Sequence, residues 1–181
     1  MAGPDTSPTA PVPHAEPLVR LYEEAGLHHW SLPPALAALY GGDLGFPEPC
    51  LYTNFVASLD GVVALGPEYP SSGHLPRVLD TIRARGHATI LSATGPRLVG
   101  QLVGAGILNE LFLTLSPVPA GREGSIRDGL IAGLELLPMR HEAAGLISAR
   151  RRASYLFLRY RLPSRHPSAG DGHPGITGVA R

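Results

Sequence analysis

The sequence contains no lysine: all 15 of its basic residues are arginines, and they are balanced by 15 acidic residues, so the formal net charge is zero. Without lysine, the chain has no side-chain amine for a Schiff base or for a lysine general base. The balanced charge argues against nucleic acid as a partner, because nucleic-acid-binding domains usually carry a basic surplus.

Cysteine is also scarce, since Cys50 is the single one. It cannot form an intramolecular disulfide, and no second cysteine is present to share a zinc ion. No two of the histidines have the His-x3-His spacing, so we predict no metal site. No apolar run approaches the ~20 residues that span a bilayer, and the N-terminus lacks the apolar segment of a secretory signal. We therefore expect a cytoplasmic protein with no membrane partner.

A length of 181 residues with 44% hydrophobic content predicts one globular domain. Residues 1–16 and 163–181 are rich in proline, glycine and other poorly burying residues, which predicts a disordered tail at each end. The domain itself is expected to occupy residues 17–162.

Hydrophobic periodicity and turn residues predict a mixture of helices and strands. The predicted helices cover residues 18–26, 32–40, 74–85 and 97–105. The predicted strands cover residues 51–58, 88–92, 109–116, 130–137, 145–152 and 154–162. The alternation of helix and strand over residues 74–116 indicates a βαβ crossover and a largely parallel sheet there. The last two strands, separated by Ala153, are expected to form a hairpin or one bent strand.

The first candidate site lies at the end of the strand over residues 51–58. Alternation along a strand places Asn54 and Ser58 on the same face, and Asp60-Gly61 then ends the strand with a turn. An amide, a hydroxyl and a carboxylate at a strand end suit a small-molecule site. The alternative is that Ser58 and Asp60 only cap the turn.

The second candidate site is the turn over residues 93–96, where a strand leads through Gly95 into a helix that begins with Pro96. The free N–H groups and the dipole of a helix start attract anions, so a phosphate could bind beside Thr94, Gly95 and Arg97. The alternative is an ordinary glycine-containing turn between a strand and a helix.

A basic run, Arg150-Arg151-Arg152, precedes the last strand. The favoured interpretation is a solvated hairpin end, because no aromatic stacking platform for single-stranded nucleic acid lies near it.

The two candidate sites, taken in order, resemble a known enzyme family. Residues 54–61 read Asn-Phe-Val-Ala-Ser-Leu-Asp-Gly, and residues 94–118 begin Thr-Gly-Pro-Arg-Leu. Together they resemble the C-terminal reductase domain of the bifunctional riboflavin-biosynthesis deaminase/reductase, in the pyrimidine reductase family. Residues 155–160 resemble that family's closing strand. The resemblance covers most of residues 32–162.

The resemblance implies an α/β fold like that of dihydrofolate reductase, in which a mixed central sheet has helices on both faces. It also implies an NADPH-dependent reductase that converts the ribosyl group of a phosphoribosylamino-pyrimidine to ribityl. Asn54 and Ser58 would then bind the substrate, and Asp60 would be the catalytic residue near the nicotinamide. The residues implied at the cofactor phosphates are Thr94, Gly95, Pro96, Arg97 and Leu98.

The sequence departs from the family pattern at two places. The phosphate loop usually reads Glu-Gly-Gly-Pro, whereas residues 93–96 read Ala-Thr-Gly-Pro, so a carboxylate is absent and a β-branched side chain replaces a glycine. Family members also carry a long middle section before the late helix, and here residues 72–73 run directly into the helix over residues 74–85. We therefore expect a shortened domain that lacks central sheet elements.

A shortened sheet would expose strand edges, which a second copy of the chain in a homodimer could cover. The alternative to an active reductase is a degenerate, non-catalytic relative that keeps part of the fold and acts by binding or dimerisation.

Overall fold

The computed structural model describes residues 16–27, 31–47, 49–65, 75–121, 127–138 and 143–163. The predicted tails, 1–16 and 163–181, lie outside the described residues except at residues 16 and 163. The elements within the described residues are, in chain order, β1 (Val19–Glu23), α1 (Pro34–Tyr40), β2 (Cys50–Ala57), β3 (Ala64–Leu65), α2 (Leu75–Ala84), β4 (Thr89–Ser92), α3 (Pro96–Ala105), β5 (Glu110–Leu115), β6 (Arg127–Asp128), β7 (Gly145–Arg152) and β8 (Tyr155–Arg161).

Six strands form one mixed sheet in the order β1-β7-β8-β5-β2-β4. In its parallel half, β2 runs between β5 and β4 and is parallel to both. In its antiparallel half, β5 pairs with β8, β8 with β7, and β7 with β1. The α/β class and the mixed sheet are therefore confirmed, as is the hairpin of the last two strands.

The main core lies between the sheet and the helices α2 and α3. The chain passes from β2 through α2 to β4, and from β4 through α3 to β5. The buried cluster combines residues of β2, of both helices and of the turn after α3: Leu51, Leu79, Val99, Leu102, Ile107 and Leu108. Because side chains alternate along a strand, Leu51 and Phe55 face these helices, whereas Tyr52, Asn54 and Val56 lie on the opposite face, called the second face below.

The second face is organised around a buried ion pair between β8 and β5. Arg159, which is 3% exposed, donates from Nε to Oε2 of Glu110 at 2.8 Å and from Nη2 to the carbonyl oxygen of Gly45 at 2.5 Å. Its guanidinium also lies 4.7 Å from the centre of the Phe46 ring. Burial raises the pKa of Glu110, although Arg159 acts in the opposite direction. The pair therefore holds the loop before β2 against the sheet.

A second buried arginine joins β7, β1 and the end of α1. Arg150 donates from Nε to the carbonyl oxygen of Tyr40 at 3.0 Å and from Nη2 to Oε1 of Glu23 at 2.9 Å. Its guanidinium lies 3.9 Å from the centre of the Tyr40 ring. The predicted solvated hairpin end is therefore wrong for Arg150, while Arg151 and Arg152 are exposed.

The prediction of a helix over residues 18–26 is wrong, because Val19–Glu23 is the edge strand β1. The apolar residues of this stretch fit a helical face, but a helix of this length has little stability by itself. Antiparallel pairing with β7 and the contact of Glu23 with Arg150 hold the segment extended instead. Tertiary pairing has overridden the local pattern.

The prediction of a strand over residues 130–137 is also wrong. Gly133 adopts a positive φ of 74°, which interrupts an extended ladder. The N–H of Ala132 donates to the carbonyl oxygen of Pro96 at 3.2 Å, so the segment packs along α3 rather than joining the sheet.

The shortening of the middle section leaves no gap in the sheet. The six strands are contiguous, and β2 has a hydrogen-bonded neighbour on each side. The strand that follows the shortened stretch, β4, is instead the edge of the sheet, and the described part of the chain supplies no strand beyond it. The six described strands thus form a continuous sheet of which β4 is one edge.

We predict that Arg159→Met lowers the free energy of unfolding by about 3–5 kcal/mol, because it leaves the carboxylate of Glu110 buried without its partner. Urea denaturation measures the loss. The double variant Arg159→Met with Glu110→Met should recover most of it, since both charges are then removed. Equal losses in the single and double variants would contradict this account of the pair.

We predict opposite signs for two alanine substitutions on α3. A Cβ at Gly104 meets only the side chain of Leu134, at 3.6 Å, so Gly104→Ala should stabilise the protein by about 0.5–1 kcal/mol through helix propensity. A Cβ at Gly100 would overlap the carbonyl oxygen of Ala132, so Gly100→Ala should be destabilising, by about 1–3 kcal/mol. Thermal unfolding of the two variants decides the matter, and stabilisation by both would contradict the described packing of the 132–134 segment.

Candidate functional site

The two candidate sites lie at the same edge of the sheet. Strands β2 and β4 are parallel neighbours, so the turn after β2 (residues 58–61) and the turn after β4 (residues 93–95) both follow carboxyl ends. Strand β5 ends at this edge too, where the N–H of Ser116 donates to the carbonyl oxygen of Ala57 at 2.8 Å. In open α/β sheets, this edge is where ligands usually bind.

The turn after β2 is closed by its own polar side chains. The hydroxyl of Ser58 donates to Oδ1 of Asp60 at 2.7 Å and accepts the N–H of Val62 at 2.9 Å. Gly61 has a positive φ of 81°, and its N–H donates to the carbonyl oxygen of Ser58 at 3.0 Å. The geometry of Ser58 is thus that of a turn-capping residue.

Both carboxylate oxygens of Asp60 accept hydrogen bonds from the loop after β5. The N–H of Ala120 donates to Oδ1 at 2.9 Å, and the N–H of Gly121 donates to Oδ2 at 3.1 Å. The hydrogen bond from Ser58, followed by that from Ala120, lowers the pKa of Asp60 to about 2. Asp60 is therefore an ionised acceptor at neutral pH, and it joins the loop after β5 to the turn after β2.

Asn54 lies in a cavity of about 290 Å³ on the second face. The cavity is lined by aromatic, polar and buried cationic residues, among them Tyr40, Phe112, Phe157, Asn54, Thr114, Arg150 and Arg159. Such a mostly apolar wall with a few polar groups is typical of small-molecule sites. Ser58 shares the strand face of Asn54 but lies about 13 Å further along the chain direction, and it does not line this cavity.

The turn after β4 presents the start of α3. Gly95 is the N-cap residue, in an extended conformation with no side-chain capping bond, and Pro96 is the first helical residue. Gly95 and Arg97 are exposed, whereas Pro96 is buried. The hydroxyl of Thr94 already shares a hydrogen bond of 2.9 Å with that of Ser92. The backbone and Arg97 are thus the parts of this turn that are suited to an anion.

A second cavity, of about 380 Å³, runs along α3. It is lined by Arg97, Gly100, Gln101, Gly104 and residues 132–134. Arg97 is therefore at one cavity and Asn54 at the other, while Ser58, Asp60, Gly95 and the half-buried Leu98 line neither. Of the predicted residues, the structure thus places Asn54 at one of these cavities and Arg97 at the other, and the two cavities lie on different faces of the sheet.

Sequence reasoning missed the cationic wall of the first cavity, Arg150 and Arg159. Alternation along β8 would have placed Phe157 and Arg159 on a common face. The register of β8 against β5, which sets Arg159 beside Phe112, follows only from the tertiary structure.

The described ranges contain neither a candidate metal cluster nor a helix suited to a membrane. No group of three or more histidine, cysteine, aspartate or glutamate residues there could hold a metal ion. None of the helices described is both long and apolar enough to cross a membrane.

The fold is that of an α/β protein with a mixed sheet and flanking helices, and it is similar to that of RibD. RibD of Acinetobacter baumannii, in its first form, has a TM-score of 0.50 at 10% identity, over 72% of this chain and 61% of that chain. A pyrimidine reductase-like protein from Corynebacterium diphtheriae has a TM-score of 0.41 at 22% identity, over 51% of this chain and 36% of that chain.

The chain thus spans 36% and 61% of the lengths of these two structures. At 10% identity the similarity to RibD shows the fold alone, and the resemblance seen in the sequence is confirmed at that level. No protein-family model and no curated protein sequence matches the chain.

We predict that the carboxyl group of Asp60 titrates near pH 2 in the folded protein, below the value of about 3.9 of an unperturbed aspartate. Because the folded pKa is the lower one, the contribution of Asp60 to stability is present above about pH 4 and is lost as the pH falls towards 2. Carbon-detected NMR titration measures the midpoint. In Ser58→Ala the midpoint should rise, because the largest cause of the shift is removed, and an unchanged midpoint would contradict the assigned hydrogen bond.

Proposed function

We propose that the protein is an NADPH-dependent reductase of the riboflavin-biosynthesis type that acts on a phosphoribosylamino-pyrimidine. The observation that carries the proposal is that the turns at residues 58–61 and 93–95 follow the carboxyl ends of the parallel neighbours β2 and β4, in a fold similar to that of RibD. This is the edge at which a cofactor and a substrate can meet.

The start of α3 fits the phosphate groups of a dinucleotide. Gly95 has no side chain to obstruct a close approach, and its own cap position has no competing side-chain bond. Arg97 is exposed in the first turn, where a guanidinium can pair with phosphate oxygens. The chemistry that NADPH would supply there is a hydride.

The cavity at Asn54 is where the proposed substrate would bind. Its volume, about 290 Å³, is at the lower end of the range of small-ligand pockets. The amide of Asn54 can both donate to and accept from the polar edge of a heterocycle, and Phe112 and Phe157 offer apolar surface to its ring. The charges of Arg150 and Arg159 are compensated by Glu23 and Glu110, and Nη1 of Arg150 is buried without a hydrogen-bond partner among the described residues.

The protein's own part in such a reaction is positional, since it holds two reactants in order and excludes water. Asp60 acts here as the ionised acceptor that fixes the loop after β5 beside the turn after β2. Ser58 holds the carboxylate of Asp60 in place.

A degenerate, non-catalytic relative is the second candidate. Ala93 stands where the resembling family has a glutamate, and Asn54 and Arg97 line separate cavities. Under this alternative the protein keeps the fold and a binding capacity without turnover.

We predict that NADPH binds saturably and that Arg97→Ala weakens its binding by about tenfold, which corresponds to about 1.4 kcal/mol. Isothermal titration calorimetry measures both. Arg77→Ala, which removes an exposed arginine of α2, is the matched control and should leave the affinity unchanged. Absence of saturable binding at millimolar NADPH would refute the reductase proposal.

Turnover separates the two candidates once binding is established. Oxidation of NADPH in the presence of a phosphoribosylamino-pyrimidine, followed by its absorbance, supports the reductase. Tight binding without any oxidation supports the non-catalytic relative.

A further inference from the structure

The edge strand β4 presents backbone groups that have no strand partner within the described residues. The N–H of Cys50 donates to the carbonyl oxygen of Ala88 at 3.0 Å, and the parallel register then directs the backbone groups of Ile90 towards β2. Because these groups alternate along a strand, the N–H and C=O of Thr89 and Leu91 point away from the sheet. They form a short row of directional donors and acceptors.

The side chains of β4 do nothing to block a further strand. Natural edge strands are usually protected by being very short or by charges, proline or bulges, and β4, with four residues, has only its shortness. The sequence of β4 is Thr-Ile-Leu-Ser, which contains neither a charge nor a proline. Leu91 is 51% exposed and adds apolar surface beside the open backbone groups.

The opposite edge of the same sheet is protected. Strand β1 has an irregular register between Arg20 and Tyr22. It also carries charged residues, with Arg20 paired to Glu23 at 2.7 Å. The two edges thus differ in the features that prevent strand addition, and this difference identifies β4 as the edge available for pairing.

We propose that β4 pairs with β4 of a second copy of this chain, antiparallel about a two-fold axis at Ile90. Thr89 of one copy then lies opposite Leu91 of the other, and each of the two pairs exchanges two backbone hydrogen bonds, roughly four in all. The six-stranded sheet continues through the axis into the second copy.

A second copy of the chain is the partner that suits this strand, because the outward backbone groups of two antiparallel copies of β4 match each other. The outward groups of Thr89 and Leu91 stand symmetrically about Ile90, as an isologous contact requires. The strand is uncharged and the chain has zero net charge, so two copies do not repel each other there. Pairing also sets Thr89 of one copy beside Leu91 of the other and covers part of that exposed side chain.

The pairing goes beyond the proposed function and is independent of it, since it needs neither cofactor nor substrate. We predict a dimer in sedimentation equilibrium of the full chain without NADPH. In hydrogen-exchange NMR, the amides of Thr89 and Leu91 should become protected as the protein concentration rises.

The variant Leu91→Lys should weaken dimerisation at least tenfold, because it adds a charge to the paired edge. Leu21→Lys is the matched control: Leu21 is 54% exposed on the opposite edge strand, and its replacement should leave the dimer unchanged. Circular dichroism checks that each variant is folded.

Three results would overturn the proposal: a monomer at every concentration, equal weakening by Leu91→Lys and Leu21→Lys, or protection of the Thr89 and Leu91 amides that does not depend on concentration. The last result would mean that the chain's own residues cover the edge. Because the exchange experiment uses the unmodified protein, it decides the matter even if Leu91→Lys does not fold. NADPH affinity measured on the same sample tests the reductase proposal separately.

Discussion

The ion pair between Arg159 and Glu110 is the interaction on which the second face of the sheet depends. It joins β8 to β5, and through the carbonyl oxygen of Gly45 it holds the loop that precedes β2. Two charges are removed from water at this point, so the pair is favourable only because Arg159 also bonds to backbone and lies against the Phe46 ring. Arg159 itself lines the cavity at Asn54. A substitution that breaks the ion pair is therefore expected to alter the lining of the cavity at Asn54.

At the carboxyl edge of the sheet, hydrogen bonds to the carboxylate of Asp60 position two loops. Asp60 accepts from Ser58, Ala120 and Gly121, and this set of donors explains the low pKa of its carboxyl group. An aspartate used in this way keeps two loops together without transferring a proton. The start of α3, by contrast, has a glycine cap without a side-chain bond, which leaves that part of the edge open to an anion.

The two edges of the six-stranded sheet differ in how they are protected. Strand β4 comes directly after α2 and is an edge protected only by its short length, while β1 closes the other edge with an irregular register and charged residues. The core between the sheet and the helices α2 and α3 is complete despite the shortening, because its apolar residues come from β2, α2, α3 and the turn after α3.

Local sequence determined the elements whose pattern and surroundings agree. Helices α1, α2 and α3 and strands β2, β4, β5, β7 and β8 follow from periodicity, proline starts and glycine ends. The turn chemistry of Ser58 and Asp60 and the helix start at Gly95 could be predicted in the same way, because each depends on residues only a few positions apart.

Only the tertiary structure decided the rest. Val19–Glu23 became a strand because β7 lies beside it, and the 130–137 stretch left the sheet because Gly133 turns it along α3. The burial of Arg150 and Arg159, and their position beside Asn54, depend on partners about 50 to 130 residues away in the sequence. Such contacts are set by strand order and register, and no local pattern of residues contains that information.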